Sequence, residues 1–451
     1  MVIRNTSCGR DRPTGSPLTP RARRGRLARR TWGSQLGSIA VTLSALVAVC
    51  AALPPAGVAA ATLPEQWTVT SVDITTPAGA QQLAPVAMND AGHVLFRDGQ
   101  KDEAFLWSPA AGMVQIEVPG STQLFPHALN NHDQVVGVRT ILSGPDTTVD
   151  SWVWSPEAGA RLLAAPQGWA EVWAVNDAGQ IAGGLYDDVN HTGPQPTRWE
   201  PDGTVTRFES PFPGSAVAIG LDGTIAGTWN DNGAGTAFVA RDAKAVTPTA
   251  GVGLGRHPSV SDQDEVPMTT SGLAQWRATG TRRWPGTGLV DLTAGSRSGL
   301  ILGGHITTAV GLPTVSGSFV WDPTTGSTTE LSTALAPHAI GSAIDRAGAV
   351  VGVSLQELGG RTTFEGTFWS ATNQAVALGA TTSPALMNDH HQVVAFRDDR
   401  FVLLQLDLLA PPPSPPDSTT TTTSTVTTTT MAAVPASPAS SAVGASPRFA
   451  G

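Results

Sequence analysis

The sequence predicts an all-β protein: a single β-propeller of about eight four-stranded blades, with seven as the alternative count, closed into a ring by its own N-terminal strand. Three observations predict it. A turn phrase built on Asn recurs along the chain, an aromatic strand phrase follows each copy, and the copies recur at an interval of about 43 residues. Four short strands fit in one such interval, which is the length of a propeller blade. A parallel β-helix repeats at roughly half that length, and immunoglobulin-type units need about 100 residues.

The turn phrase comes first in each period. It reads Ala87-Met88-Asn89-Asp90-Ala91-Gly92-His93-Val94, then Ala128-Leu129-Asn130-Asn131-His132-Asp133-Gln134-Val135, then Ala174-Val175-Asn176-Asp177-Ala178-Gly179-Gln180-Ile181. The last copy holds Asn388-Asp389-His390-His391, where the two His replace the usual Ala-Gly as a turn variant. Between these lie degenerate copies that place Gly220, Ser261, Gly295 and Asp345 at the Asn position. Asn and Gly tolerate the left-handed backbone that a tight hairpin needs, so the repeated Asn is read as a turn former. The apolar run before each Asn and the β-branched run after it supply two strands.

The third strand carries Trp: FLWSP at 105–109, WVWSP at 152–156, TRWEP at 197–201, FVWDP at 319–323 and TFWS at 367–370. AFVA at 237–240 and AQWR at 274–277 are degenerate copies, and Phe401-Val402-Leu403 stands in the eighth place. These aromatics are expected to pack between sheets rather than to form a sugar platform. The eighth unit runs out after Phe401–Leu409 without a fourth strand, while an unassigned strand, 67–74, precedes the first unit. It resembles the fourth strand 114–118, so it is expected to complete the last blade and remove a free sheet edge.

The two phrases together, A-φ-N-D-x-G-x-V-x-G followed by A-F-x-W-x-P, resemble the HAF-type extracellular repeat of secreted bacterial proteins. The resemblance is best at 86–109 and 173–201 and extends over about 65–409. The chain departs from that family at Gly220, Ser261 and Gly295, and it lacks the family's His before the aromatic. The resemblance implies an exported repeat protein and carries no catalytic residues with it.

The ends of the chain differ from this body, 62–409. Within 1–61 lie nine of the 27 basic residues, one of the 36 acids (Asp11) and both cysteines, Cys8 and Cys50. RARRGRLARR at 21–30, the uncharged run LGSIAVTLSALVAVCAAL at 36–53 and VAAA at 58–61 follow the order of an export signal, with cleavage expected after Ala60 or Ala61. Arg29-Arg30-Thr31-Trp32 also resembles a twin-arginine signal, and an uncleaved run would be just long enough to span a membrane. The tail, 410–451, is rich in Pro, Thr, Ser and Ala and is read as an extended, solvated chain or glycosylated stalk.

Beyond residue 61 the chain holds 18 basic and 35 acidic residues, a formal charge of −17, which repels a phosphate backbone and argues against nucleic acid. Without cysteine the body can hold neither a disulfide nor a thiolate metal site. No Gly-rich phosphate loop, G-x-S-x-G elbow or H-E-x-x-H helix occurs. The recurring residues are explained by blade construction, so recognition is sought in the variable stretches 138–151, 184–196, 303–317 and 353–366, read as linkers on one face. Of these, 184–196 holds the single tyrosine, Tyr186, beside Asp187, Asp188 and His191, and is the candidate binding loop. Trp229-Asn230-Asp231-Asn232-Gly233 resembles part of a calcium loop but lacks the closing Glu. The expected function is a secreted or envelope-located, monomeric, non-enzymatic propeller without cofactor. Its expected partner is an extracellular glycan or protein, and the membrane is touched only through an uncleaved signal segment. A secreted polysaccharide hydrolase or lyase is the alternative, and a structural wall protein the second.

Overall fold

The structure, a computed structural model, describes residues 67–409 apart from 81, 144–145, 166–168, 187–192, 232–233, 242–244, 247–253, 255–258, 270–272, 278–279, 288, 310–311, 332–337 and 359–360. The export signal, the tail, both cysteines and three members of the candidate loop, Asp187, Asp188 and His191, lie outside the described residues.

Eight antiparallel sheets follow one another along the chain, and no helix occurs among the described residues. Blade 1 is built from Leu83–Met88, Val94–Asp98, Glu103–Ser108 and Gly112–Ile116, and blade 2 from Gln123–Leu129, Val135–Ser143, Asp146–Ser155 and Gly159–Leu162. Blade 3 takes Ala170–Val175, Ile181–Tyr186, Pro194–Trp199 and Val205–Arg207; blade 4 takes Gly214–Ile219, Ile225–Asp231, Ala234–Ala240 and Ala245–Val246. Blade 5 shows three strands, Val266–Thr269, Leu273–Arg277 and Gly280–Arg283, and its first-strand position falls on the largely undescribed stretch 247–258. Blade 6 is Val290–Gly295, Ile301–Ala309, Leu312–Trp321 and Thr328–Glu330, and blade 7 is His338–Ile344, Val350–Leu358, Arg361–Trp369 and Ala375–Ala380.

Blade 8 closes the ring as the sequence predicts. It joins Ser383–Met387, Gln392–Arg397 and Arg400–Leu408 to the N-terminal strand Trp67–Asp73. That strand pairs with the chain's last strand in an unbroken register from Trp67↔Leu408 to Asp73↔Val402. The Ile74 N–H donates to the Phe401 carbonyl at 3.0 Å, and Arg400 pairs with Asp73 at 2.7 Å. The count is therefore eight, not seven.

The apolar core sits between blades rather than at one centre. Each of eight clusters joins two neighbours: Leu95 and Ile116 of blade 1 meet Val135 and Trp152 of blade 2, and Phe96 of blade 1 meets Val394 and Leu403 of blade 8. The third-strand tryptophans Trp107, Trp154, Trp199, Trp321 and Trp369 are buried in these seams, as their recurrence implies.

The turns also form as expected, with one correction. At Asn89 the N–H donates to the His93 carbonyl at 3.1 Å, the Gly92 N–H returns to the Asn89 carbonyl at 3.0 Å, and Gly92 takes the left-handed φ of 78°. In blade 6 the residue in this place is Ser296, not Gly295: the Ser296 N–H donates to the Leu300 carbonyl at 2.8 Å. A bulge fixes that register. In seven blades the first strand carries one extra residue three positions before the turn residue, at Val86, His127, Trp173, Val217, Thr293, Ser342 and Ala385. The bulge presses the first strand against the second. A Cβ at Gly183 or Gly352 would overlap the carbonyl oxygen of Glu171 or Ile340, which accounts for Gly in the strand after the turn.

Antiparallel order sends the first-to-second and third-to-fourth connections to one face, the turn face. The second-to-third connections and the blade-to-blade links go to the other, the loop face. Three of the stretches read as linkers prove to be ribbons. Strand pairing in blades 2, 6 and 7 runs on through Ser143↔Asp146, Ala309↔Leu312 and Leu358↔Arg361. In the calcium-like segment Asp231 pairs with Ala234, and Asn232 and Gly233 lie outside the described residues.

Candidate functional site

On the turn face the repeated Asn side chains do more than form turns. Asn388 Nδ2 donates to the Asn89 carbonyl at 2.9 Å, Asn89 to Asn130 at 3.1 Å, Asn130 to Asn176 at 2.8 Å and Asn176 to Gly220 at 2.8 Å. Each Oδ1 meanwhile accepts the N–H four residues on, at 2.9–3.0 Å. Every such Asn thus caps its own turn and ties its blade to the next.

The residues that follow the turn position, Asp90, Asn131, Asp177, Leu221, Asp262, Arg297, Arg346 and Asp389, form a second ring. Asp90, Asn131 and Arg346 donate their N–H groups to the side chains of Asn131, Asp177 and Asp389 at 2.8–2.9 Å. Arg346 pairs with Asp262, and Arg297 reaches Asp90 at 3.2 Å and Asp389 at 3.9 Å. An open pocket here is lined by Asn130, Asn176, Asp177, Leu221, Asp262 and Arg297. Its acids have partners within the ring, so this end of the axis is fastened rather than poised for chemistry.

The loop face differs. Phe212, Leu289 and Leu142 are exposed there on blade links or a ribbon tip, and Phe364 and Phe396 are exposed at the loop-face ends of blades 7 and 8. Tyr186, the described member of the candidate loop, ends the second strand of blade 3 on this face. Its hydroxyl donates to Glu171 Oε2 at 3.0 Å, and its ring stacks on Trp169 with centroids 4.1 Å apart.

Glu171 lies on the first strand of blade 3 and is only 5% exposed. It is paired with Gly184, whose missing side chain would meet Ser215 of blade 4, so the carboxyl faces the blade 3–4 seam. Burial pushes its pKa up to about 7, and the hydrogen bond from Tyr186 opposes that shift. Tyr186 is itself raised, by burial and then by the neighbouring Glu171. Oε1 of Glu171 makes no hydrogen bond among the described residues and is not sealed from solvent. One carboxyl poised near neutrality suits an acid, but a glycosidase needs two flanking the bond. The equivalent position of blade 6 holds an acid, Asp291, three blades away around the ring.

Next along the strand, the bulge residue Trp173 stacks on His127, the bulge residue of blade 2, with centroids 4.4 Å apart and planes within 6°. Its Nδ1 lies within hydrogen-bond reach of the Val172 carbonyl, which can only accept, so that nitrogen carries the proton. Burial lowers the His127 pKa to about 4 against the effect of that bond, with Arg97 lowering it further.

Of the four residues expected in the binding loop, Tyr186 is in this cluster, while Asp187, Asp188 and His191 lie outside the described residues. Sequence reasoning missed Glu171, Trp169, His127 and Trp173. The signal available was an acid inside an otherwise apolar first strand, WAEVWAV at 169–175. Among the described residues no group of three or more His, Cys, Asp or Glu is placed to hold a metal.

No protein-family model matches the chain, and no curated protein matches it. Among solved structures it is similar to virginiamycin B lyase from Staphylococcus aureus, at 12% identity over 76% of this chain and 100% of that one, with a TM-score of 0.40. It is also similar to Porphyromonas gingivalis dipeptidyl peptidase 4, at 10% identity over 72% of this chain and 60% of that one, with a TM-score of 0.49. At these values neither likeness carries a reading of activity.

Proposed function

We propose that this protein is an exported, non-catalytic binding propeller that recognises an extracellular glycan through its loop face. One observation carries the reading. Exposed large apolar side chains stand at the loop-face ends of several blades, whereas the polar groups of the turn face are bonded to one another. Flat aromatic surfaces such as Phe212, Phe364 and Phe396 suit the apolar faces of sugar rings, and a surface that presents them apart from the fastened face is where a ligand gains most from burial. The signal-like segment 21–61 supports a location outside the cytoplasm, and the formal charge of −17 beyond residue 61 disfavours polyanions.

A glycan array probed with the purified chain tests this. Selective retention of a family of glycans, weakened at least tenfold by Phe364→Ser together with Phe396→Ser, is expected. An array without a retained glycan overturns the reading.

A further inference from the structure

We infer that the seam between blades 3 and 4 on the loop face is a subsite for an ammonium group, and that the glycan bound there carries a free amine. This rests on the glycan reading and narrows it. Glu171 is 5% exposed, and one of its two carboxylate oxygens is held by Tyr186 at 3.0 Å. The other, Oε1, makes no hydrogen bond or ion pair among the described residues and is not sealed from solvent, so it is the oxygen open to a ligand. A carboxylate as enclosed as that of Glu171 is costly to keep charged unless a cation comes to its open oxygen. The surroundings favour a cation. Tyr186 brings an electron-rich ring to the carboxyl and Trp169 stacks on that ring at 4.1 Å, and aromatic faces attract ammonium groups. No basic side chain among the described residues perturbs Glu171; the groups acting on it are its own burial and Tyr186. Across the seam blade 4 offers Ser215, an uncharged hydroxyl.

A neutral sugar supplies only hydroxyl donors, and an N-acetylated amino sugar has an amide without charge. A de-N-acetylated amino sugar brings both a ring for aromatic contact and the missing cation. Its ammonium would pair with ionised Glu171, and the pair would hold the carboxylate charged at pH values where the empty site is half protonated.

Titration calorimetry of the full chain with a tetrasaccharide of glucosamine, its N-acetylated form and a glucose tetrasaccharide tests the inference. At pH 7.5 the glucosamine tetrasaccharide is expected to bind at least tenfold more tightly than the other two, and to lose tenfold or more at pH 5, where Glu171 is protonated. Glu171→Gln should erase both the preference and the pH dependence. Tyr186→Phe, which keeps the ring and frees Oε2, should retain the preference with a shifted pH midpoint. Equal binding of the three sugars, an unchanged Glu171→Gln protein, or equally tight binding of an oligolysine peptide overturns the subsite. If other glycans are retained on the array while the glucosamine tetrasaccharide does not bind, the subsite fails and the glycan reading stands; an array without a retained glycan removes both.

Discussion

Blades 8, 1, 2 and 3 are fastened to their successors by one repeated device, and blades 4 to 7 manage without it. In the first arc, buried Asn388, Asn89, Asn130 and Asn176 each donate to the next blade's backbone. In the second, the turn position holds Gly220, Ser261, Ser296 and Asp345. Ser261, Ser296 and Asp345 accept the N–H of Glu265, Leu300 and Ala349 within their own turns at 2.8–3.1 Å. Cross-blade ties there fall to side chains one or more positions on. Arg346 pairs with Asp262, and His391 of blade 8 approaches buried Asp345 at 3.1 Å. A ring can therefore lose its repeated fastener over half its circumference, provided the apolar seams stay filled and other polar groups span the gaps. The two solutions differ in strength, since a buried amide strands backbone groups in two blades when removed, whereas a part-exposed ion pair is weak and screened.

The largest expected effect follows from that difference. Asn130→Ala leaves the Asn176 carbonyl and the His132 and Gln134 N–H groups without that partner and should cost about 3 kcal/mol in urea unfolding. Ser261→Ala removes one acceptor and should cost about 1 kcal/mol. Equal losses would erase the distinction between the arcs.

The first arc also holds two buried groups that titrate in opposite senses. Glu171, with a pKa of about 7 in the fold against an ordinary 4.5, stabilises fully below pH 4.5 and loses that contribution as pH rises through 7. His127, at about 4 against an ordinary 6.5, stabilises above pH 6.5 and loses its contribution as pH falls through 4. Between pH 4.5 and 6.5 the two nearly cancel. Glu171→Gln should expose the His127 slope, a rise in stability of roughly 2–3 kcal/mol from pH 4 to 6.5, measured by denaturant midpoints across pH. A flat profile in that variant would contradict the assignment.

The smallest effect belongs to the second arc. Arg346→Ala should lower stability by a few tenths of a kcal/mol at low salt, and the difference from the native chain should vanish in 1 M NaCl. A salt-independent loss above about 1 kcal/mol would mean that this pair carries the weight the amides carry opposite.

Much of this was legible in the chain. The closing strand 67–74 and the Asn turns were readable because turn conformation and strand alternation are local properties. The one-residue error at Gly295 arose because Gly-Ser offers two equally good turn residues once Asn is gone, and the bulge at Thr293 selects Ser296. The stretches 138–151, 303–317 and 353–366 read as linkers because they vary most from unit to unit, yet most of each pairs as ribbon. Tyr186 was found as an unusual residue in a variable stretch. Glu171 was not, because a single acid in an apolar strand has no repeat to mark it.

By itself the sequence determined the repeat of about 43 residues, the Asn-marked turns and the closure by the first strand, since each depends on residues within a few positions of one another or on a pattern that recurs; the structure settled the count at eight and the blade 6 turn at Ser296. Only the tertiary structure decided which side chains meet across a seam. Glu171 comes under Tyr186, and His127 against Trp173, because bulges and blade packing set those approaches, and burial there is the main cause of both pKa shifts.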